Sequence, residues 1–345
     1  MSIRLHVRVG VGAAAAATIA AASAFAATGG AAHPARSAAH QGALPSPLSV
    51  AASWSTSKLG LRNPRRLAVA PSGAIYVADM NDRVTEISAS GKVIRRWGKP
   101  GSGPGQFRFV TGDPSDPTDI HSNITVGPNG YVYVSDSGNA RVEVFSASGK
   151  FIRQIGSYGS GKTQFLDPMD LAVDNRNNVY VVDGRLETLR KFSPAGTVLW
   201  TVSGAKNSDP DLVGHYHLSM LDAHGRLLIT DDDTNRVIFM DQNGHKLDAF
   251  GKRANFPGGA CDVTSDTAGT LYVVGCGAQA FDGGAPRTEI FDASHAHVGE
   301  WVNSPLAMSP QFGPNGEIVA LRWAHLHSPK ATGGNILMLK VSGKG

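Results

Sequence analysis

The feature that most constrains the fold is a short apolar segment that recurs six times and usually ends in aspartate. The copies are Ala74–Asp79, Tyr131–Asp136, Val179–Asp183, Leu227–Asp231, Thr270–Val274 and Glu317–Leu321. Measured between Tyr76 and its counterparts, they follow one another at intervals of 44 to 57 residues. Their apolar residues stand at successive positions, which predicts strands that are buried on both faces.

Each copy is the second of four predicted strands. A short apolar strand precedes it, a third such as Arg141–Phe145 follows, and a more charged fourth such as Phe151–Ile155 ends the unit. Turns rich in Gly, Asn and Asp separate the strands. Six units of four strands predict an all-β, six-bladed β-propeller, in which every blade is packed between two neighbours.

The sixth unit has no fourth strand of its own. Leu48–Trp54 lies ahead of the first unit and resembles a fourth strand, with Trp54 in the place of Trp97 and Trp301. We expect it to pair with Ile336–Leu339, because this pairing closes the ring and removes an exposed strand edge.

The first 26 residues have the pattern of a secretory signal peptide. Arg4 and Arg8 precede an apolar stretch shorter than the roughly 20 residues that span a bilayer, and Ala24–Ala26 is an A-x-A cleavage site. Residues 27–47 are a low-complexity segment, interpreted as a flexible leader. We therefore expect a secreted, monomeric propeller over residues 48–345, without a transmembrane segment after signal cleavage.

Charge and motifs exclude several function classes. The formal net charge is +4, and Lys and Arg are scattered without a basic run, so nucleic-acid binding is not expected. The chain lacks a G-x-S-x-G elbow, a P-loop and an H-E-x-x-H motif. The glycines of Gly98–Gly105 precede Gln106 and Phe107, which favours a connection between repeats over a phosphate cradle.

Several motifs resemble the NHL repeat. They are Pro168-x-x-Leu171-Ala172-Val173-Asp174, Tyr133–Asp136 with Asn139-x-Arg141-Val142, and Trp97-Gly98 or Ile155-Gly156 followed by Gln106-Phe107 or Gln164-Phe165. The resemblance implies a propeller that recognises a protein, a peptide or a cell-envelope glycan through the loop face around its pore. The most irregular segments, Lys99–Asp119, Ser203–His215, Gly275–Arg287 and Arg322–Asn335, all fall on this face, which points to a binding side.

The alternative is a metal-dependent lyase or hydrolase of the same fold, similar to the peptide-amidating lyases or to lactonases. The amidating lyases place a metal-binding His just inside the first strand of three blades. Here these positions are Arg65, Ser122, Met169, His217, Cys261 and Met308, with His121 one residue out of register.

The candidate site residues lie around the pore. The first strands begin with Arg66, Asn123, Asp170, Leu218, Asp262 and Ser309, whose charges could hold a polar ligand or neutralise one another. The predicted ligand-binding set is Arg66, His121, Asn123, Asp170, His217, Asp262, Trp323, His325 and His327. No cofactor is required; the enzymatic alternative would place Zn²⁺ or Ca²⁺ on His121, His217 and His325, with Asp170 or Asp262 as base. Loop histidines that make local hydrogen bonds are the simpler interpretation.

Two further patterns predict structure rather than chemistry. Asp79, Asp136, Asp183 and Asp231 could form an acidic ring for a cation, but an Arg or Asn a few residues on favours a tie across the tight turn. Cys261 and Cys276, the only cysteines, flank a predicted hairpin and are expected to form a disulfide.

Overall fold

The structure of the protein is a computed structural model. It describes residues 48–110, 122–203, 216–231, 234–252, 255–256, 259–275, 287–302, 308–323 and 334–341. Among them, every regular element except the 3₁₀ turn Ser137–Asn139 is a β-strand.

The strands form six four-stranded antiparallel sheets, one per repeat. Blade 1 contains β2 (Arg66–Val69), β3 (Ile75–Asp79), β4 (Arg83–Ile87) and β5 (Val93–Trp97). Blade 2 contains β6 (Ile124–Val126), β7 (Val132–Asp136), β8 (Arg141–Phe145) and β9 (Phe151–Ile155). Blade 3 contains β10 (Pro168–Val173), β11 (Val179–Asp183), β12 (Thr188–Phe192) and β13 (Val198–Ser203).

The other three blades follow the same order. Blade 4 contains β14 (Tyr216–Leu221), β15 (Leu227–Asp231), β16 (Arg236–Met240) and β17 (Lys246–Phe250). Blade 5 contains β18 (Ala260–Ser265), β19 (Leu271–Gly275), β20 (Arg287–Phe291) and β21 (His297–Val302). Blade 6 contains β22 (Met308–Phe312), β23 (Ile318–Trp323), β24 (Gly334–Val341) and β1 (Leu48–Ser55).

Blade 6 confirms the predicted ring closure. β1 is its fourth strand and pairs with β24, so that Leu48 lies opposite Val341 and Trp54 opposite Ile336. The first strands of neighbouring blades contact one another around the whole ring, including β2 against β22. The molecule is therefore a closed six-bladed propeller.

The hydrophobic cores lie between consecutive blades. Each of six buried clusters draws its side chains from two adjacent blades. The second strands β3, β7, β11 and β15 are buried at every position. A strand inside a blade that is sandwiched by two others has no solvated face, which explains why the sequence is apolar at successive residues.

The blades also interlock at their outer edges. Trp54 lies against Gly91 of blade 1, as Trp97 lies against Gly149 of blade 2, and a β-carbon at either glycine would clash with the indole. Both glycines have positive φ, of 81° and 79°, which only glycine adopts without strain. Trp54 therefore occupies the same position in its blade as Trp97, and its packing against Gly91 helps to hold β1 in the last blade.

Candidate functional site

One residue from the start of each first strand forms what we call the pore ring. Its members are Arg66, Asn123, Asp170, His217, Asp262 and Ser309. For blade 4 the sequence predicted Leu218, which is wrong by one residue. His217 lies opposite Thr230, just as Arg66 lies opposite Ala78, whereas Leu218 lies opposite Ile229 and is buried.

Arg66 crosses the channel and joins three alternate blades. Its Nη1 lies 3.2 Å from Asp262 Oδ2 and its Nη2 lies 3.4 Å from Asp170 Oδ1. All three side chains are nearly buried, with 12%, 7% and 4% of their surface exposed. Burial alone would lower the pKa of Arg66, but the two carboxylates raise it, so the guanidinium stays charged.

Asp170 is the most connected member of the pore ring. Its Oδ1 also accepts a 2.8 Å hydrogen bond from Asn123 Nδ2, and its Oδ2 lies 2.9 Å from His217 Nδ1. Burial favours the neutral acid, yet the charge of Arg66 and these hydrogen bonds hold the pKa of Asp170 well below its usual range. Because an ionised carboxylate only accepts hydrogen bonds, His217 Nδ1 carries the proton of this contact.

Blade 6 completes the ring through backbone contacts. The backbone N–H of Ser309 donates to Asp262 Oδ2 at 2.9 Å, and Ser309 Oγ donates to the carbonyl of Leu67 at 3.1 Å. All six blades are thus joined by polar contacts at one level of the pore. The charged side chains of the pore ring therefore largely neutralise one another.

A cavity of about 170 Å³ adjoins the pore ring inside the channel. First strands of all six blades line it, and Thr125, Ser219 and Gln311 supply polar groups beside Arg66 and Asp262. Its size and polarity suit several ordered water molecules. The cavity therefore has room for ordered water beside the pore ring.

The structure brings Arg66, Asn123, Asp170, His217 and Asp262 of the predicted set together. Trp323 is the last residue of β23, opposite Gly334. His121, His325 and His327 lie outside the described residues. Of the predicted metal ligands only His217 is described, and no three His, Cys, Asp or Glu side chains of the described ranges are grouped so as to hold a metal.

The repeated aspartates tie turns, as predicted. Asp79 accepts from the backbone and side chain of Asn81 and from Arg83 Nε. Asp136 accepts from Asn139 and from Arg141 Nε, at 2.8 and 2.9 Å. Asp136 also fixes the loop that connects blade 1 to blade 2, because the backbone N–H of Arg108 donates to it at 2.7 Å.

The loop that resembled a phosphate cradle surrounds a side chain of the protein. Arg141 donates to the carbonyls of Ser102, Gly103 and Gln106. Arg190 does the same with Gly161, Lys162 and Gln164 in the following blade. The loop thus offers acceptors to an arginine, and its motif is architectural.

Cys261 lies in β18 at a bulge, between Ala260 and Asp262. Ala260 pairs with Gly275, the residue before Cys276. Cys276 is outside the described residues, so the disulfide remains a prediction that this register favours.

Sequence comparison adds relatives of the same architecture. A family model described as a 6-bladed beta-propeller matches residues 115–197. Mouse NHL repeat-containing protein 3 is 27% identical over 191 residues, which cover 52% of each protein. Mouse peptidyl-glycine alpha-amidating monooxygenase is 36% identical over 110 residues, which cover 30% of this chain and 10% of the relative.

The protein is a six-bladed β-propeller, and its repeats are similar to those of NHL repeat-containing proteins. Among solved structures, virginiamycin B lyase from Staphylococcus aureus superposes with a TM-score of 0.52 at 11% identity, over 85% of this chain and 99% of the lyase, a likeness of fold alone. The alignment covers 52% of the length of mouse NHL repeat-containing protein 3. It covers only 10% of the length of the amidating monooxygenase. No helix in its described ranges is long and apolar enough to cross a membrane.

Proposed function

We propose that this propeller is an exported recognition module that binds a protein, a peptide or a cell-envelope glycan on the loop face around its pore. The observation that carries the proposal is the position of Arg66. It stands between Asp170 and Asp262, where a catalytic cation or an open general base would be needed. The pore ring thus supports a rigid floor beneath a binding surface.

Two members of the pore ring are more exposed than the others and are the ones that we assign to ligand contact. The side chain of His217 is 23% exposed and that of Arg66 is 12% exposed. A histidine held by Asp170 offers a fixed polar contact, because its ring orientation is set by the hydrogen bond through Nδ1. Trp323, which ends β23, is the aromatic residue we assign to the same surface.

The test is a binding screen on peptide and glycan arrays with the full chain. We expect His217→Ala and Trp323→Ala each to weaken binding of the best ligand by about tenfold or more, the range of interface hot spots. The control is His224→Ala, because His224 is an exposed histidine in the β14–β15 turn on the opposite face. Loss of thermal stability in proportion to loss of binding would show that the two residues only support the fold.

The second candidate is a metal-assisted lyase or hydrolase, and one contact favours it. The hydrogen bond between His217 Nδ1 and a buried carboxylate is the arrangement that orients metal-ligating histidines. His121 and His325 would have to supply the other ligands. Against it, a depressed pKa makes Asp170 a weak base, and the charge of Arg66 repels a cation.

Elemental analysis separates the two candidates. The recognition module predicts less than stoichiometric zinc and calcium in protein purified after growth with added metal. Stoichiometric metal in the native protein that is lost in His217→Ala, but kept in His224→Ala, would establish the enzymatic candidate instead.

A further inference from the structure

The outer strands of the blades carry a repeated exposed aliphatic residue. In blades 1 to 5 the fourth strand has a β-bulge after its first residue, and the bulged residue points outward. These residues are Ile94, Ile152, Leu199, Leu247 and Val298, with 39% to 55% of their surface exposed. Because every complete repeat has one, the aliphatic residue by itself belongs to the repeat and indicates no partner.

Blades 1 and 2 differ from the others in the charge around this position. The segments Ser88–Gly98 and Ser146–Gly156 share Ser-Ala-Ser-Gly-Lys, then Ile-Arg. They place exposed Lys92 and Lys150 two residues before the bulged isoleucine. Blades 3, 4 and 5 have Thr197, His245 and Ala296 at this position, and blade 4 has exposed Asp248 directly after Leu247.

Among the residues that the structure describes, the positive charge of this side is poorly compensated. Every carboxylate described between residues 48 and 165 is buried or half-buried. Arg95 is neutralised in part by Glu86, at 2.5 Å, and exposed Arg96 donates to the carbonyl of Leu59. Lys92 and Lys150 make no ion pair with any described carboxylate.

An exposed aromatic residue and a further lysine lie in the loop that leaves blade 2. Tyr158 follows β9 in the loop toward blade 3 and is 70% exposed, the highest value among the large hydrophobic side chains of the described residues. Exposed Lys162 lies in the same loop. This loop belongs to the loop face and not to the outer wall. On the outer wall itself, aliphatic tips stand beside lysines, a composition that the interface of an anionic bilayer favours.

We propose that this outer wall of blades 1 and 2 docks the propeller onto an anionic lipid bilayer. We call it the basic wall, and it comprises Lys92, Ile94, Arg96, Lys150 and Ile152. The lysines attract the headgroup charge, and the two isoleucines enter the interfacial layer. A soluble polyanion would use the lysines but gain little from the isoleucines, so the bilayer is the occupant that uses both parts. The loop face remains free for its own ligand.

The test is co-sedimentation of the full chain with vesicles rich in phosphatidylglycerol, against vesicles of phosphatidylcholine alone. We expect binding to the anionic vesicles that weakens with salt. Lys92→Glu/Lys150→Glu should weaken it about 30-fold or more, since each basic residue near such a surface contributes about fivefold. Ile94→Ser/Ile152→Ser should weaken it about tenfold.

The matched control is Leu247→Ser, the same bulge position on blade 4 beside Asp248, which should bind as the native chain does. Each variant is first shown to keep the native melting temperature. The proposal is overturned by equal binding to both vesicle types, or by a loss in Leu247→Ser as large as in Ile94→Ser/Ile152→Ser. It is also overturned if only the lysines matter and heparin binds as tightly as vesicles, which would identify a polyanion site.

Discussion

At the scale of single residues, the pore ring is an electrostatic unit built from distant parts of the chain. Arg66 is the only cation that the structure shows bonded to Asp170 and Asp262, both nearly buried. A buried carboxylate that loses its partner charge is strongly destabilising, more so than the net value of the pair. Arg66 therefore matters to stability before it matters to any ligand.

Arg66→Ala should lower the free energy of unfolding by about 3–5 kcal/mol, because it leaves two carboxylates without their counter-charge. Urea unfolding measures the change. Arg62→Ala, at an exposed arginine just before β2, should stay within about 0.5 kcal/mol of the native value. A loss below about 1 kcal/mol in Arg66→Ala would mean that the ring contributes little to stability.

Glu143 is a second residue whose burial has a consequence for stability. It is fully buried in β8, and burial, only partly offset by the N–H of Gly105 and by Arg141, raises its pKa to about 7. A raised folded pKa gives stability that is complete below the ordinary value of 4.5 and is lost as pH rises toward 7.

Glu143→Gln removes this titration. We expect it to match the native protein near pH 5 and to exceed it at pH 8 by about 1–3 kcal/mol, at about 1.4 kcal/mol per pKa unit. Thermal unfolding across this pH range gives the comparison, with exposed Glu187→Gln as control. Equal pH profiles for Glu143→Gln and the native chain would show that the carboxylate is ionised without penalty.

At the scale of elements, the repeat could be derived from the sequence because its signal is local. The Asp-Asn-Arg pattern around Asp136 lies within six residues and ties its turn as predicted. Buried second strands and the pairing of β1 with β24 were also predicted. The bulges were not predicted, because one extra residue at Leu199 or at Ser219 leaves no periodic trace in the sequence. The bulge at Ser219 in β14 shifts the register by one residue and places His217 in the pore ring.

β1 is the element on which ring closure depends. Removal of residues 1–55 should leave β24 as an exposed edge and give a chain that aggregates or unfolds without cooperativity. Removal of residues 1–47 keeps β1 and is the matched control, expected to melt as the full chain does. Thermal unfolding followed by circular dichroism compares the two, and equal melting would show that β1 is dispensable.

The hairpin of β18 and β19 should contain the disulfide. Reduction should add two hydrogens to the intact mass, and Cys261→Ala/Cys276→Ala should lower stability by about 3 kcal/mol, as expected for a closed loop of about 15 residues. A free thiol on Cys261 in unreduced protein contradicts the pairing.

At the scale of the whole molecule, the sequence predicted the closed ring but not the distribution of charge. Lys92 and Lys150 are 58 residues apart in a chain where basic residues look scattered. The repeat places them at the same position of adjacent blades, and folding buries or half-buries the carboxylates that the structure describes on that side. Similarly, the sequence named Arg66, Asp170 and Asp262 as neighbours of the pore, but only the fold shows that Arg66 bridges both acids.

A closed ring in which every blade has its fourth strand should remain monomeric. We expect a single species of monomer mass by size-exclusion chromatography with light scattering, over a wide concentration range. A dimer that persists on dilution would show that a face of the disk is an interface between copies.

Because β1 and β24 stand at opposite ends of the described chain, the last blade cannot form until β24 has been synthesised. During synthesis, the strands of blades 1 to 5 are made before β24, so β1 has no partner strand until β24 follows. Ring closure therefore joins two strands that are separated by five blades of chain, a step that is slowed by the entropy of closing so long a loop.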